Sequence, residues 1–215
     1  MASNGTKTKP GEERRLTRRG QQTRQRIVAA AAELIFEHGV AETTLEDIRA
    51  AAGVSGSQVY HYFEDKQALV RAVVDHQTDA ILDGQGERLD HLDTVPGLRA
   101  WRDYIVECQR QLQCRGGCPL GTLGAEVAEI DDVARLAVAR GFRRWESRIR
   151  EGLRAMHARG DLPAAVDPDD LALALLAALQ GGLLLTQIQR EAKPLETTLD
   201  AMLDHIQSLT EAARP

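Results

Sequence analysis

From Gln21 onward the apolar residues recur every three or four positions, with no run of alternating apolar and polar residues long enough to make a strand. That period predicts an all-α chain. A first helix is expected from about Gln21 to His38, with Ile27, Leu34, Ile35 and Phe36 on or near its core face and Gly39 at its end. Two short helices follow. A fourth starts near Asp65, runs through Leu69, Val73, Val74 and Ile81, and is weakened at Gly84 and Gly86. Leu98, Trp101, Ile105, Cys108 and Leu112 stand at helical spacing and predict a helix over Val95–Gln113. A short helix over Leu120–Ala128 and a long one over Asp131–Arg159 come next. Asp167-Pro168 reads as cap and first turn of a helix reaching about Arg190, and Pro194 opens the last, to about Thr210.

Two of these helices carry more apolar surface than one core uses. Leu171–Leu185 is apolar on nearly every face, and the final helix offers a stripe of Leu199, Leu203, Ile206 and Leu209. Gly181-Gly182 leaves room for a second helix to approach. Two copies of this pair predict a homodimer through the last two helices. The apolar stretch is short for a membrane span and contains Gln180, so it reads as a buried helix.

The segment Thr43–Val70 is the most informative. Leu45, Ile48 and Ala52 form the inner face of one short helix, Gly53-Val54 the turn, and Val59 and Phe63 face back from the next. Thr44 with Asp47 makes a box-like start, Gly53 suits a left-handed helix end, and Ser55 caps the second helix. Two helices crossing so tightly present the outer face of the second to a duplex groove. That face runs Gly56, Ser57, Gln58, His61 and Tyr62. Gln58 has the amide that pairs with adenine, Ser55, Tyr60 and Tyr62 have hydroxyls for phosphate, and Lys66 adds a charge.

Gly53-Val54-Ser55 with Tyr60, Phe63, Lys66 and Leu69 resembles the DNA-binding domain of the TetR/AcrR family of bacterial transcriptional regulators, over about Arg24 to Val73. The resemblance implies an N-terminal three-helix helix-turn-helix head, a larger helical ligand-binding and dimerisation body, a homodimer on double-stranded DNA, and operator contacts from Thr44, Ser55, Ser57, Gln58, Tyr60, His61, Tyr62 and Lys66. It divides the chain into an arm (1–20), a head (21–68) and a body (69–215). Two positions depart from the family pattern. Arg49 stands where a small Ala is usual, so its stem must snorkel outward, and Gly56 stands where a larger polar or basic side chain is common. The run GCPLGTLGAE after Cys114 is similar to a connector in one branch of TetR-type repressors, where it joins two helices beside a ligand pocket.

Charge sharpens this picture. Residues 1–26 hold eight basic side chains against two acidic ones, whereas from residue 71 onward 23 acidic groups outnumber 17 basic ones. A basic arm on an acidic body suits a protein that meets DNA at one end. Arg14, Arg15, Arg18 and Arg19 are placed to follow the DNA backbone, and the polar arm reads as disordered. No signal-type apolar core follows the basic start, so the expected location is cytoplasmic, with no membrane partner.

The inner helices concentrate the body's aromatic and amide side chains. Trp101, Tyr104, Ile105, Cys108, Leu123, Phe142, Trp145, Ile149, Leu176, Gln180 and Leu183 are the candidate lining of an apolar inducer pocket. Relatives with a similar connector include regulators released by aromatic compounds, which favours that ligand class. Cys114 and Cys118 flank Arg115 and offer a second reading, a thiol-based sensor of oxidants or electrophiles. The six histidines are scattered, no nucleophile–base set is apparent, and neither a metal motif nor a cofactor motif occurs. The expectation is a ligand-responsive repressor and not an enzyme.

Overall fold

The computed structural model describes residues 16–213, and every regular element among them is helical. Nine α-helices follow in order: α1 Arg18–Glu42, α2 Leu45–Ala52, α3 Gly56–Tyr62, α4 Lys66–Gln85, α5 Val95–Gln111, α6 Pro119–Val127, α7 Asp132–Ala158, α8 Pro168–Gln189 and α9 Lys193–Ala212. A 3-10 segment, Gly86–His91, joins α4 to α5. It was not expected from the sequence. Gly86 takes φ 53° and stops α4, while Gly84 is absorbed inside the helix.

The helix starts follow capping chemistry. Thr17, Thr44, Ser55, Asp65, Thr94, Asp131 and Asp167 each accept a hydrogen bond from a backbone amide of the first turn, satisfying donors that the helix leaves unpaired. Thr17 moves the start of α1 back to Arg18, so Arg18, Arg19 and Gly20 belong to a helix and not to the expected arm. The remainder of that basic arm, including Arg14 and Arg15, lies outside the described residues. At its other end α1 does not stop at Gly39. It kinks there (φ 85°, ψ 165°) and continues for one turn to Glu42.

The first three helices pack Ile27, Val28, Ala31, Ile35, Ile48, Val54, Val59 and Phe63 into one buried cluster that is continuous with α4 through Leu69 and Val73. Phe36 is different. It is partly exposed, and its ring crosses to the body and lies over Gly116, where a Cβ would come within 2.3 Å of Phe36 Cζ. Leu112 also departs from expectation. The chain leaves α5 at Gln111 through left-handed Gln113 and Cys114, which turns Leu112 out to solvent.

In the body, α4, α7, α8 and α9 pack successively, with α5 against α9 and α6 wedged between α1 and α7. Helix α8 has the length and composition of a membrane span (mean hydropathy 1.9), but Leu171, Ala172, Leu175, Leu176, Leu179 and Leu183 are buried in the core. The apolar stripe of α9 does not face outward. Leu199, Leu203 and Ile206 are wholly buried within the same chain and Leu209 packs beside them. Gly182 serves this internal contact too, since a Cβ there would fall 2.5 Å from Thr198 Oγ1 and 2.9 Å from Leu195 Cα. Of these two helices it is α8 that keeps large apolar side chains at the surface: Leu173, Leu184, Leu185 and Ile188 are exposed, and Gly181 faces open space.

Candidate nucleic-acid interface and body cavity

Helices α2 and α3 are both held by reciprocal capping boxes. Thr44 Oγ1 accepts from Asp47 N at 3.2 Å while Asp47 Oδ2 accepts from Thr44 N at 3.0 Å, and Ser55 and Gln58 repeat the pattern. Hydrogen bonds from the Thr44 hydroxyl and amide hold the Asp47 carboxyl below its ordinary range. Between the boxes Gly53 is left-handed (φ 63°, ψ 42°) and Val54 is buried under the crossing. The turn is therefore fixed from both sides, and the outer face of α3 is set by it.

On that face Ser55, Ser57, Gln58, Tyr60 and His61 are exposed, with Gly56 and Tyr62 half-buried. Tyr60 projects freely, at 64% exposure. The His61 and Tyr62 rings meet edge to face at 4.9 Å. Tyr62 leans back toward the start of α1, its hydroxyl 3.5 Å from where a Cβ on Gly20 would stand. Gln58 is less free than its sequence position suggests. Its Oε1 accepts from Ser55 N at 2.9 Å and from Ser55 Oγ at 3.2 Å, so only the amide nitrogen remains to donate while the box is closed. A bidentate grip on adenine requires both atoms and hence an opened box. Lys66 reaches back to Ala41 O at 3.5 Å, in the last turn of α1. Arg49 does snorkel: its guanidinium pairs with Glu46 on the same helix, and that pairing lowers the Glu46 carboxyl below its ordinary range.

The second site is a cleft of about 180 Å³ between α4, α5, α7 and α8, bordered at one end by the Gly117–Pro119 connector. Tyr104, Ile105, Cys108, Trp145 and Leu183 line it, as expected. The sequence reading missed Ile81, Gln85 and Gln109, and the available signal was a glutamine at an inward helical position. Trp101 and Ile149 line neither this cleft nor the larger groove along α6, α7 and α8. They are fully buried packing residues, and Trp101 Nε1 donates to Gln85 Oε1 at 2.7 Å. Leu123 sits instead in a small crevice under α1, beside Ile35, Phe36 and Glu126. Phe142, Leu176 and Gln180 line a groove of about 900 Å³ along α6, α7 and α8, which shares Cys118 and Leu183 with the smaller cleft.

Two polar atoms in the cavity wall are unpaired. Gln109 Oε1, an acceptor, and Trp145 Nε1–H, a donor, are both buried without a hydrogen-bond partner. Tyr104 is satisfied through its hydroxyl, which donates to Gly84 O at 2.6 Å, and the Arg88 guanidinium lies 4.1 Å over its ring. Burial is the main cause that pushes the Tyr104 phenol up, helped by Cys108. Burial likewise pushes the Cys118 thiol up, against hydrogen bonds from Gly121 and Leu120 amides and from Gln180. Cys114 is also buried, and the three cysteines are free thiols.

Both halves of the chain match known sequence families. The bacterial regulatory proteins of the tetR family match over residues 27–73, and the tetracyclin repressor-like C-terminal domain matches over residues 94–202. The chain belongs to the TetR family. Among TetR-family relatives, the HTH-type transcriptional repressor DhaR of Mycobacterium sp. (strain GP1) is 27% identical over 188 residues, covering 87% of this chain and 94% of DhaR. The crystal structure of a TetR transcriptional regulator from Chloroflexus aurantiacus shares 30% identity with a TM-score of 0.74, over 88% of this chain and 96% of that one. The reduced form of E. coli NemR shares 25% identity with a TM-score of 0.70, over 87% and 96%. The chain is accordingly a helix-turn-helix transcriptional regulator of the TetR type.

Proposed function

We propose that this chain is a repressor that binds a pseudo-palindromic operator as a homodimer and is released by a compact, hydrophobic or aromatic small molecule. The observation that carries the ligand half of this reading is the pair of buried unpaired polar atoms, Gln109 Oε1 and Trp145 Nε1, on residues that line one mainly apolar cleft. Buried polar groups left unpaired cost about 1–3 kcal/mol each, and a ligand bearing one donor and one acceptor recovers that cost on binding. The volume suits a single ring, since a cavity of about 150 Å³ accommodates benzene. The reading head (21–68) carries operator contacts at Thr44, Ser55, Gly56, Ser57, Gln58, Tyr60, His61, Tyr62 and Lys66, with Gly56 admitting close approach.

Symmetry supplies the second requirement. The exposed leucines and Ile188 of α8 form the apolar strip available to a second copy, and the groove beside it shares a wall with the cavity. A two-fold pairing along α8 sets the separation of the two heads, and a ligand that favours a different tilt of α4 changes that separation. Operator affinity then falls by the coupling between the sites, typically ~1–3 kcal/mol. The workplace of such a regulator is the cytoplasm, beside the chromosome.

The thiol-sensor alternative is disfavoured by burial, because the nucleophile is the thiolate and Cys118 is held in its protonated form. Thermal shift against single-ring phenols, aldehydes and amides tests the main reading. A saturable rise in melting temperature that Gln109→Leu abolishes supports it. Release of DNA by oxidants alone, lost in a Cys114→Ser, Cys118→Ser double variant, replaces it with the thiol reading.

A further inference from the structure

We propose that Arg49, on the first helix of the motif, reads a base of the operator in the place left vacant by Gly56. The inference rests on α3 being the element that enters the groove, and it adds a contact from outside that helix.

Helix α3, Gly56–Tyr62, contains neither Lys nor Arg, and its first residue has no side chain. The N-terminal residues of a recognition helix are those nearest the base edges. Here that position is empty of its own chemistry. A Cβ built on Gly56 meets one neighbour within 4 Å, Arg49 Cδ at 3.8 Å. The stem of Arg49 therefore runs past the opening turn of α3, in van der Waals reach of the point where a side chain at residue 56 would begin.

The guanidinium is already arranged for the task. Its Nε donates to Glu46 Oε2 at 2.9 Å and its second nitrogen donates to Glu46 Oε1, a two-pronged grip of the kind that also fits guanine O6 and N7. The pair is open to solvent, with 36% of the Arg49 side chain and 73% of the Glu46 side chain exposed. Surface ion pairs of this sort contribute little, so exchanging the carboxylate for a guanine edge has a low cost. The negative field of the duplex favours that exchange, since it repels Glu46 and attracts Arg49. Arg49 thus becomes a specificity-determining residue, and each half-site carries a guanine facing the start of α3.

The test uses the full chain and DNA from upstream of its own gene, with the bound segment carried through single base-pair substitutions at each position. Arg49→Ala is expected to weaken binding about 5- to 150-fold and to abolish the preference at one G·C pair per half-site, leaving preferences elsewhere intact. Arg49→Lys does not restore that preference, because an ammonium lacks the planar fork. Glu46→Gln leaves binding equal or tighter. Unchanged affinity for Arg49→Ala overturns the proposal, as does a uniform loss across all sequences with a flatter salt dependence, which marks a phosphate clamp. A circular dichroism melt of each variant confirms that the head is folded. If the unsubstituted chain binds no DNA, α3 is not a reading helix and both proposals fall.

Discussion

The Glu126 carboxylate on α6 accepts a 2.6 Å hydrogen bond from the Val40 amide on α1, across the boundary between body and head. The kink at Gly39 exposes that amide, and a Cβ at Gly39 would stand 3.0 Å from Glu126 Oε2, so the carboxylate and the kink fit each other. Helix α6 begins at Pro119, in the wall of the cleft between α4, α5, α7 and α8. One short helix therefore connects the cavity to the helix that carries the reading head. Glu126→Ala removes the partner of a half-buried backbone donor and is expected to destabilise the chain by about 0.5–1.5 kcal/mol, with Glu126→Gln milder. Hydrogen exchange at Val40–Thr43 accelerates in the Ala variant. Protection equal to the unsubstituted chain contradicts this coupling.

The cavity makes a separate prediction. Trp145→Phe removes an unpaired buried N–H without opening a large void, so stability is expected to change by less than about 1 kcal/mol or to rise. A ligand that accepts from that N–H loses affinity by about tenfold. Thermal denaturation with and without the ligand reads both effects, and a large loss of stability on Trp145→Phe tells against an unpaired indole.

Dimerisation separates the two glycines of α8. Gly181→Ala is expected to be stabilising by up to about 1 kcal/mol in the single chain, because nothing lies within 4 Å of its Cβ. Gly182→Ala collides with Thr198 and Leu195 and costs about 1–3 kcal/mol. A Leu184→Glu, Ile188→Glu variant remains folded and sediments as a monomer with weakened operator binding. Sedimentation as a dimer shifts the interface away from α8.

At neutral pH Cys118 is expected to resist alkylation in the folded chain, because burial raises its pKa and keeps the thiol protonated. Raising the pH increases the thiolate fraction and so the rate, up to that raised pKa. Mass spectrometry after a timed iodoacetamide pulse measures it. Labelling of Cys118 at the rate of a free thiol contradicts the burial argument.

Much of this was legible in the chain. The capping residues Thr44, Ser55, Asp65 and Asp167 and the left-handed Gly53 act locally, so spacing alone located the helices they begin or end. What depended on distant packing was not legible. The stripe Leu199, Leu203, Ile206 reads the same whether it meets α8 of its own chain or a second copy, and only the tertiary arrangement assigned it to the former. Trp101 and Ile149 carried the same helical signal as Tyr104 and Trp145, and which of them line a void depends on how α5 and α7 rotate against α4 and α8. The capture of Gln58 Oε1 by Ser55 N was a competing local use that the base-reading expectation overlooked.

Footprinting of the DNA upstream of this gene with purified chain tests the central claim most directly. The account predicts two protected half-sites about one helical turn or a multiple apart, lost in a Gln58→Ala, Tyr60→Ala variant that remains folded. No protected site, or a footprint that the double variant leaves unchanged, contradicts it.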